Sequence, residues 1–420
     1  MPTNGQTSLP RFRWLERTCA SVPPLEPVGS EVHQALAALR FPPDQLQGRR
    51  IAITVGSRGI ASLQEIVREA CRWLKAQGAR PFVFPAMGSH GGATAEGQRK
   101  VLEEYGITSD SAGVEVRSSM ETVSLGSTPE GLQVFMDRNA WEADGVLVLN
   151  RVKPHTDFSG KIESGLLKMM AVGMGKLDGA CEAHKWSRRI GFEKTIRAMA
   201  SRVLATRKVL CAVGVVENEF HRICAVRAAR PEEVVTVEER ALEMAQPLVP
   251  RLPFSKFHLL IVDEIGKNIS GTGMDTKVIG RGVKLQPGEA PEIGVIYARD
   301  LTPESGGNAL GVGFADLIHE GLYRKIDFQK TLANVRTSLN LPTGRVPLTM
   351  PSDREALALA LGSLGSPDLQ EQRIAWIRNT LELDRLAVSA CLAEEAAGLQ
   401  GWRLVPEAWA AEFDPAGNLR

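Results

Sequence analysis

The sequence predicts an α/β protein of two domains, each a mainly parallel sheet flanked by helices, with the active site in the cleft between them. Three observations carry that expectation. From Arg50 onward, short apolar runs alternate with amphipathic helical segments, the order that yields parallel strands joined by crossover helices. At 420 residues the chain is too long for one ordinary core. The Pro-rich stretch Pro247–Pro253 (PLVPRLP) reads as a linker before a second strand–loop–helix series, which sets domains at residues 1–250 and 251–420.

Residues 1–48 read as Pro-rich and irregular, with one helix near Val32–Leu39. Ile51–Val55 is an apolar strand, and the loop Gly56-Ser57-Arg58-Gly59 follows it. Leu63, Ile66, Val67, Ala70 and Leu74 recur at the spacing of one buried helix face, and Gly78 is placed to end that helix. Pro81–Pro85 is the next strand, and Gly88-Ser89-His90-Gly91-Gly92 leaves it. Thr94 is the expected N-cap of a helix reaching Tyr105. Gly145–Leu149 reads as a buried strand bounded by polar residues. Cys181–Arg207 is helical in pattern, Val209–Val216 strand-like, and Pro231–Ala245 helix-like. In the second domain, Leu259–Asp263 and Ile293–Ala298 read as strands, with a Gly-rich loop at Gly266–Asp275. Gly306–Tyr323 reads as loop and helix, and beyond Asp353 the pattern is helical with short strands near Leu386 and Arg403.

Composition excludes several function classes. The net charge of +1, with basic residues scattered, gives no electrostatic footprint for nucleic acid or an anionic membrane. No apolar run is long enough to span a bilayer, and the N-terminus lacks a signal-peptide pattern. Six cysteines without a CxxC pair argue against a disulfide scaffold or thiolate zinc site and fit a reducing cytoplasm. The loops GSRG and GSHGG are not GxGxxG, so an ordinary dinucleotide dehydrogenase is disfavoured.

In parallel sheets, ligands gather at the loops leaving the carboxyl ends of strands. Arg58, His90 and His155 all occupy such loops. Arg58 stands among small residues, and its planar fork suits a carboxylate; the plain alternative is a surface turn. His90 between glycines is either a proton-transfer group or a loop histidine capping a carbonyl. His155 follows the stiffening Pro154. Lys168 and His184 each have a bland reading as helix-surface residues. The segment Asn150–Lys185 concentrates glycines and cations to a degree that core-building does not call for, and it is the expected seat of the chemistry.

Taken together these residues resemble the nickel-pincer-nucleotide isomerases, the family of lactate racemase. The match runs mainly over residues 50–190: Arg58 after the first strand, Gly88-Ser89-His90 after the second, Pro154-His155, Ser164-Gly165-Leu166-Leu167-Lys168 with Gly173, and His184. The sixteen-residue step from Lys168 to His184 is its most specific part. The resemblance implies a racemase or epimerase of a 2-hydroxy acid or sugar acid. It implies pyridinium-3-thioamide-5-thiocarboxylic acid mononucleotide with Ni(II), covalently joined to Lys168 and supplied by cofactor-maturation enzymes. His184 would be the protein's metal ligand, with Ser57, Gly88, Ser164 and Gly165 around the cofactor. His90 and His155 would alternate as base and acid while the α-hydride moves to the cofactor, and Arg58 would hold the carboxylate. Lys267 and Asn268 are the local candidates for substrate contacts from a C-terminal domain closing over the site.

The sequence departs from the family at three places. Val55 stands where an aspartate is common, and Gly91 where an arginine often follows the Gly-x-His histidine. The run Asp157–Lys161 lengthens the interval between His155 and Lys168. All three fall around the substrate, so the cofactor assignment is firmer than any one substrate. Two other classes stay open from sequence: a mononuclear metallohydrolase built on His90, His155 and His184, and a non-catalytic ligand-binding homologue.

Overall fold

The structure, a computed structural model, describes residues 9–156, 158–282, 290–365 and 367–420. The chain forms two compact units, one of Val22–Val249 and one of Met1–Ser21 with Pro250–Arg420.

The first unit is built on a five-stranded sheet. Its strands are β2 (Arg50–Val55), β3 (Arg80–Pro85), β6 (Gly145–Arg151), β7 (Val209–Glu217) and β8 (Ile223–Ala229), in spatial order β3-β2-β6-β7-β8. The first four run parallel, and β8 returns antiparallel to β7. Parallel neighbours need crossovers, and helices supply them. α2 (Leu63–Ala76) joins β2 to β3, whereas α4 (Lys176–Ile190) and α5 (Phe192–Ala205) lie between β6 and β7. In α2 the predicted face of Leu63, Ile66, Val67, Ala70 and Leu74 is buried. α3 (Ala95–Glu104) follows β3, and the Thr94 hydroxyl accepts the Gly97 N–H as its cap, as the sequence predicts. A short antiparallel hairpin of β4 (Thr122–Ser127) and β5 (Gln133–Asp137) precedes β6. α1 (Val28–Ala37) and α6 (Val234–Ala245) complete the unit.

The apolar run of β6 shows why this sheet is dry on both sides. Val146 and Val148 join the core with Phe82, Phe84, Met170, Met199 and Leu242. Leu147 and Leu149 join the other core, with Ile53, Ile66, Leu74 and Val213. Each fully buried side chain of this kind stabilises by roughly 1.5–3 kcal/mol relative to its exposed state.

The second unit has an eight-stranded mixed sheet. Its strands are β9 (Lys256–Ile265), β10 (Glu292–Leu301), β11 (Leu317–His319), β12 (Leu348–Met350), β13 (Ile374–Ile377), β14 (Arg385–Ser389) and β15 (Trp402–Trp409), with β1 (Phe12–Arg17) from the N-terminus. The order is β12-β11-β10-β9-β13-β14-β1-β15, parallel from β12 to β13 and antiparallel beyond. β1 is an element that the irregular pattern of residues 1–48 does not foretell. Its short alternating run FRWLER is held by pairing on both edges and by Phe12 and Trp14 stacking on Trp409, at 5.3 and 5.5 Å between centroids. β11, β12 and β13 are likewise silent in the sequence, being runs of three or four residues whose pairing partners lie far away along the chain.

Candidate active site

Three loops leave the carboxyl ends of neighbouring parallel strands in the first unit. Val55 pairs with Pro85, Ile53 with Leu147, and Arg151 with Val215, so β2, β3, β6 and β7 end along one edge of the sheet. That register brings Ser57 and Arg58, Gly88 to His90, Lys153 to His155, and Glu217 to a common rim.

At the end of β2, the Tyr105 hydroxyl donates to the Ser57 carbonyl at 2.8 Å. Arg58 is half-buried. Burial lowers its pKa; Tyr105 opposes the shift, and the neighbouring Arg151 guanidinium adds to it. Arg151 is itself ion-paired with Glu217, both side chains largely buried, and the other Glu217 oxygen accepts the Ala61 N–H at 2.8 Å. Arg151 falls within Asn150–Lys185 but has no role in the sequence reading, and Glu217, at the end of β7, is not named in it.

At the end of β3, Gly88 takes φ +57° and donates its N–H to the Gly173 carbonyl at 3.2 Å. A Cβ on Gly173 would meet Met169 Sδ at 2.5 Å and the Ala86 carbonyl at 2.7 Å, which explains a glycine there by lack of space. His90 is exposed, with Nδ1 at 2.9 Å from the Met87 carbonyl. A carbonyl only accepts, so this contact puts a proton on Nδ1. The bland reading, a histidine capping a carbonyl, is thus true of one ring nitrogen. Position 91 is closed to the family's arginine: Gly91 has φ +63°, and a Cβ there would lie 2.6 Å from Gln98 N.

After β6, the chain doubles back through a bridge between Lys153 and Ser164. Buried Glu163 organises this loop, accepting the His155 N–H at 2.5 Å and the Gly160 N–H at 3.1 Å. The His155 ring lies 4.6 Å from Phe158 and 6.0 Å from Phe192, and the two phenyls stack at 5.0 Å and 10°. His184, on α4, meets the same Phe192 edge-on at 5.8 Å. Phe192 escapes a reading of the sequence, where nothing but its position after Gly191 sets it apart. Asp157 lies outside the described residues.

Gly165 opens the turn Leu166–Lys168, followed by a single π-turn over Met169–Gly173. Asn150 Nδ2 donates to the Gly165 carbonyl at 2.8 Å, and the buried Glu238 carboxyl accepts the Leu167 N–H at 2.7 Å. A Cβ on Gly165 would lie 2.4 Å from Glu238 Oε1, so the Ser-Gly step of the motif is a site of close backbone approach. Lys168 is half-buried, and its charge reaches His184. Burial, then the Lys168 and Arg188 charges, push the His184 imidazole down to about 4, so it is neutral at physiological pH.

Lys267 and Asn268 belong to the second unit and are engaged in their own loop. Lys267 Nζ donates to the Gly271 carbonyl at 2.6 Å, and Asn268 Oδ1 accepts from the Thr302 hydroxyl at 2.7 Å. Among the described residues no three His, Cys, Asp or Glu side chains gather at metal-binding spacing, so the three-histidine hydrolase gains no support. Among the same residues no helix is long and apolar enough to cross a membrane.

Residues 45–185 match the lactate racemase N-terminal domain family. The chain is similar in fold to the lactate racemase apoprotein from Thermoanaerobacterium thermosaccharolyticum, with TM-score 0.53 and 15% identity over 87% of this chain and 94% of that one. It is also similar to a Thermotoga maritima protein of known crystal structure, with TM-score 0.53 and 16% identity over 83% and 96% of the two chains. No curated protein matches it significantly in sequence. Residues 45–185 therefore form a domain of the lactate racemase N-terminal type, in a chain whose fold is similar to that of the lactate racemase apoprotein over most of its length.

Proposed function

We propose that this protein is a racemase or epimerase of a 2-hydroxy acid or sugar acid, working with a nickel-pincer nucleotide attached to Lys168 and ligated through His184. The observation that carries the reading is one of placement: Lys168, in the turn Leu166–Lys168, lies near enough to His184, on α4, for its charge to act on the imidazole. A neutral imidazole is the metal-binding form, and a lone imidazole suits Ni(II) when softer donors come from the cofactor. When bound, that cofactor supplies a reversible acceptor for the α-hydrogen and its electron pair.

The protein's own residues do the rest. Arg58 binds the substrate carboxylate through its fork. His90, anchored through Nδ1 to the Met87 carbonyl, and His155, braced by Glu163 through its backbone, take and return the hydroxyl proton from opposite sides. Two such groups are needed because the planar keto acid is re-reduced on either face. The stacked Phe158 and Phe192 rings limit water around His155 and His184. The six unpaired thiols accord with a cytoplasmic enzyme matured by partner proteins.

Intact mass of the chain produced together with cofactor-maturation enzymes tests the reading. An added mass on wild-type protein, absent from Lys168→Ala, is expected, together with α-deuterium washout from at least one 2-hydroxy acid. Unmodified protein that nonetheless turns over such an acid would refute it. A second reading, a ligand-binding homologue without turnover, draws on position 91, where this fold cannot carry the family's arginine. Adduct formation and substrate binding without washout would favour it.

A further inference from the structure

Beneath the loop that carries His90 lies a buried polar chain with no part in the chemistry above. Lys176 opens α4, the helix that carries His184, and is fully buried with φ +53°. A lysine in the left-handed region with its ammonium out of water is doubly unfavourable and persists only where its surroundings demand it. Its Nζ donates to the Pro85 carbonyl at 2.5 Å and to Gln98 Oε1 at 2.9 Å, and lies 3.0 Å from Asp137 Oδ2. Two ammonium hydrogen bonds thus go to Pro85 and Gln98, and the Asp137 carboxylate faces the charge as its ion-pair partner. Gln98, also fully buried, uses both amide protons in turn, donating to the Gly88 carbonyl at 2.9 Å and to the His90 carbonyl at 3.2 Å. Asp137 anchors the far end: its Oδ1 accepts the Asn139 and Ala140 N–H groups, and its own N–H donates to the Met174 carbonyl at 2.7 Å.

We propose that Lys176, braced by Asp137 and acting through Gln98, is a positioning residue that fixes the Gly88–His90 loop relative to the helix bearing His184. This rests on the reading of His90 as a proton-transfer group. Stability alone is a poor reason for such a chain, since well-packed apolar residues replace buried ion pairs at no loss. The connectivity supplies a better one. Pro85, Gly88 and His90 are all held, directly or through Gln98, by one ammonium rooted in the helix that supplies the metal ligand. The loop's own hydrogen bonds, Gly88 N–H to Gly173 and His90 to Met87, leave the Gly88 and His90 carbonyls to Gln98, and Gly88, Gly91 and Gly92 take positive φ with no side chain to pack.

Two variants of the full chain test this. Gln98→Met removes both donors to the loop without leaving a charge behind. Lys176→Met combined with Asp137→Asn removes the ion pair while keeping an oxygen for the Asn139 and Ala140 N–H groups, and so avoids the unpaired buried carboxylate that Lys176→Met alone would leave. Both variants are expected to keep the exchange protection of β6 and the body of α4. Amide exchange across residues 88–94 should accelerate about tenfold or more, the effect of losing one or two buried hydrogen bonds. On protein bearing the Lys168 adduct, kcat for α-deuterium washout should fall with KM unchanged and the adduct mass intact. Unaltered protection of residues 88–94, or full washout despite lost protection, overturns the proposal. Lost protection in protein whose wild type washes out no 2-hydroxy acid supports the link between loop and helix and refutes the racemase reading instead.

Discussion

His155 and His184 share one ring: Phe192 lies 6.0 Å from the first imidazole, near parallel, and 5.8 Å from the second, edge-on. They come from different segments, one on the loop after β6 and one on α4, so Phe192 is the contact that sets their spacing. It also removes water from His184. Phe192→Ala is therefore expected to raise the His184 pKa from about 4 toward the ordinary 6.5, measured by NMR titration of its ring protons in cofactor-free protein. The stability loss should be about 2 kcal/mol, below that of a fully buried phenylalanine because the ring is half-exposed. A His184 titration unmoved by the substitution would show that other groups account for its depression.

The surroundings of His184 show what a sequence reveals and what it hides. The step from Lys168 to His184 can be written from sequence because it lies in one continuous segment; the structure puts Lys168 in the short turn Leu166–Lys168 and His184 on the helix Lys176–Ile190. Strands β2, β3, β6 and β7 are legible because a strand buried on both faces writes an unbroken apolar run. Glu238 is not, since the Leu167 it serves lies 71 residues away along the chain, and Phe192, Glu163 and Gln98 carry no local pattern that marks their partners. The N-terminal strand Phe12–Arg17 is hidden for the same reason: its partners are Arg385–Ser389 and Trp402–Trp409, at the other end of the chain.

Glu238 and His184 give the stability a readable pH dependence. Burial pushes the Glu238 carboxyl up from 4.5 to about 7, only partly offset by the Leu167 and Leu166 N–H groups. Between those values the native state holds a proton that the unfolded chain releases. Its contribution is thus complete below pH 4.5 and is lost as pH rises through 7, at up to about 1.4 kcal/mol per pH unit. His184 works in the opposite sense, its contribution present above 6.5 and lost as pH falls toward 4. Glu238→Gln keeps an oxygen for the Leu167 N–H and cannot ionise. Urea denaturation at a series of pH values should show the decline above pH 5 flattened in this variant, and an unchanged profile would exclude Glu238 as its source.

The glycine of the Ser164-Gly165 step makes a sharper claim, because its reason is a single neighbour. A Cβ at Gly165 meets Glu238 Oε1 at 2.4 Å and Cδ at 2.6 Å. Gly165→Ala should destabilise the protein by about 2 kcal/mol. In a double-mutant cycle with Glu238→Ala, most of that penalty should vanish, since the clashing carboxyl is gone. Simple additivity would mean the glycine is required for another reason.

Position 91 tests whether this chain could ever have followed the family pattern. With φ +63° and the Gly97–Gln98 backbone within 2.6 Å of where a Cβ would stand, any substitution there is both strained and crowded. Gly91→Arg, which installs the family residue, should lower the melting temperature and abolish α-deuterium washout rather than improve it. A stable, more active variant would show that the loop has a second conformation able to accept the arginine.

The rim at the end of β2 and β6 separates two arginines by role. Arg151 compensates Glu217, whose other oxygen already serves the Ala61 N–H, so Arg151→Met leaves a buried carboxylate without its cation. That should cost about 3 kcal/mol or more in stability. Arg58 lies close enough to Arg151 for the like charge to add to the effect of burial on its pKa. A guanidinium depressed in this way gains from an anion beside it. Arg58→Lys, which keeps the charge but loses the fork, should therefore raise KM for a 2-hydroxy acid by about tenfold or more, while the Lys168 adduct forms as before. Equal losses in stability from the two substitutions, with KM unmoved by Arg58→Lys, would place Arg58 in the scaffold instead of at the substrate.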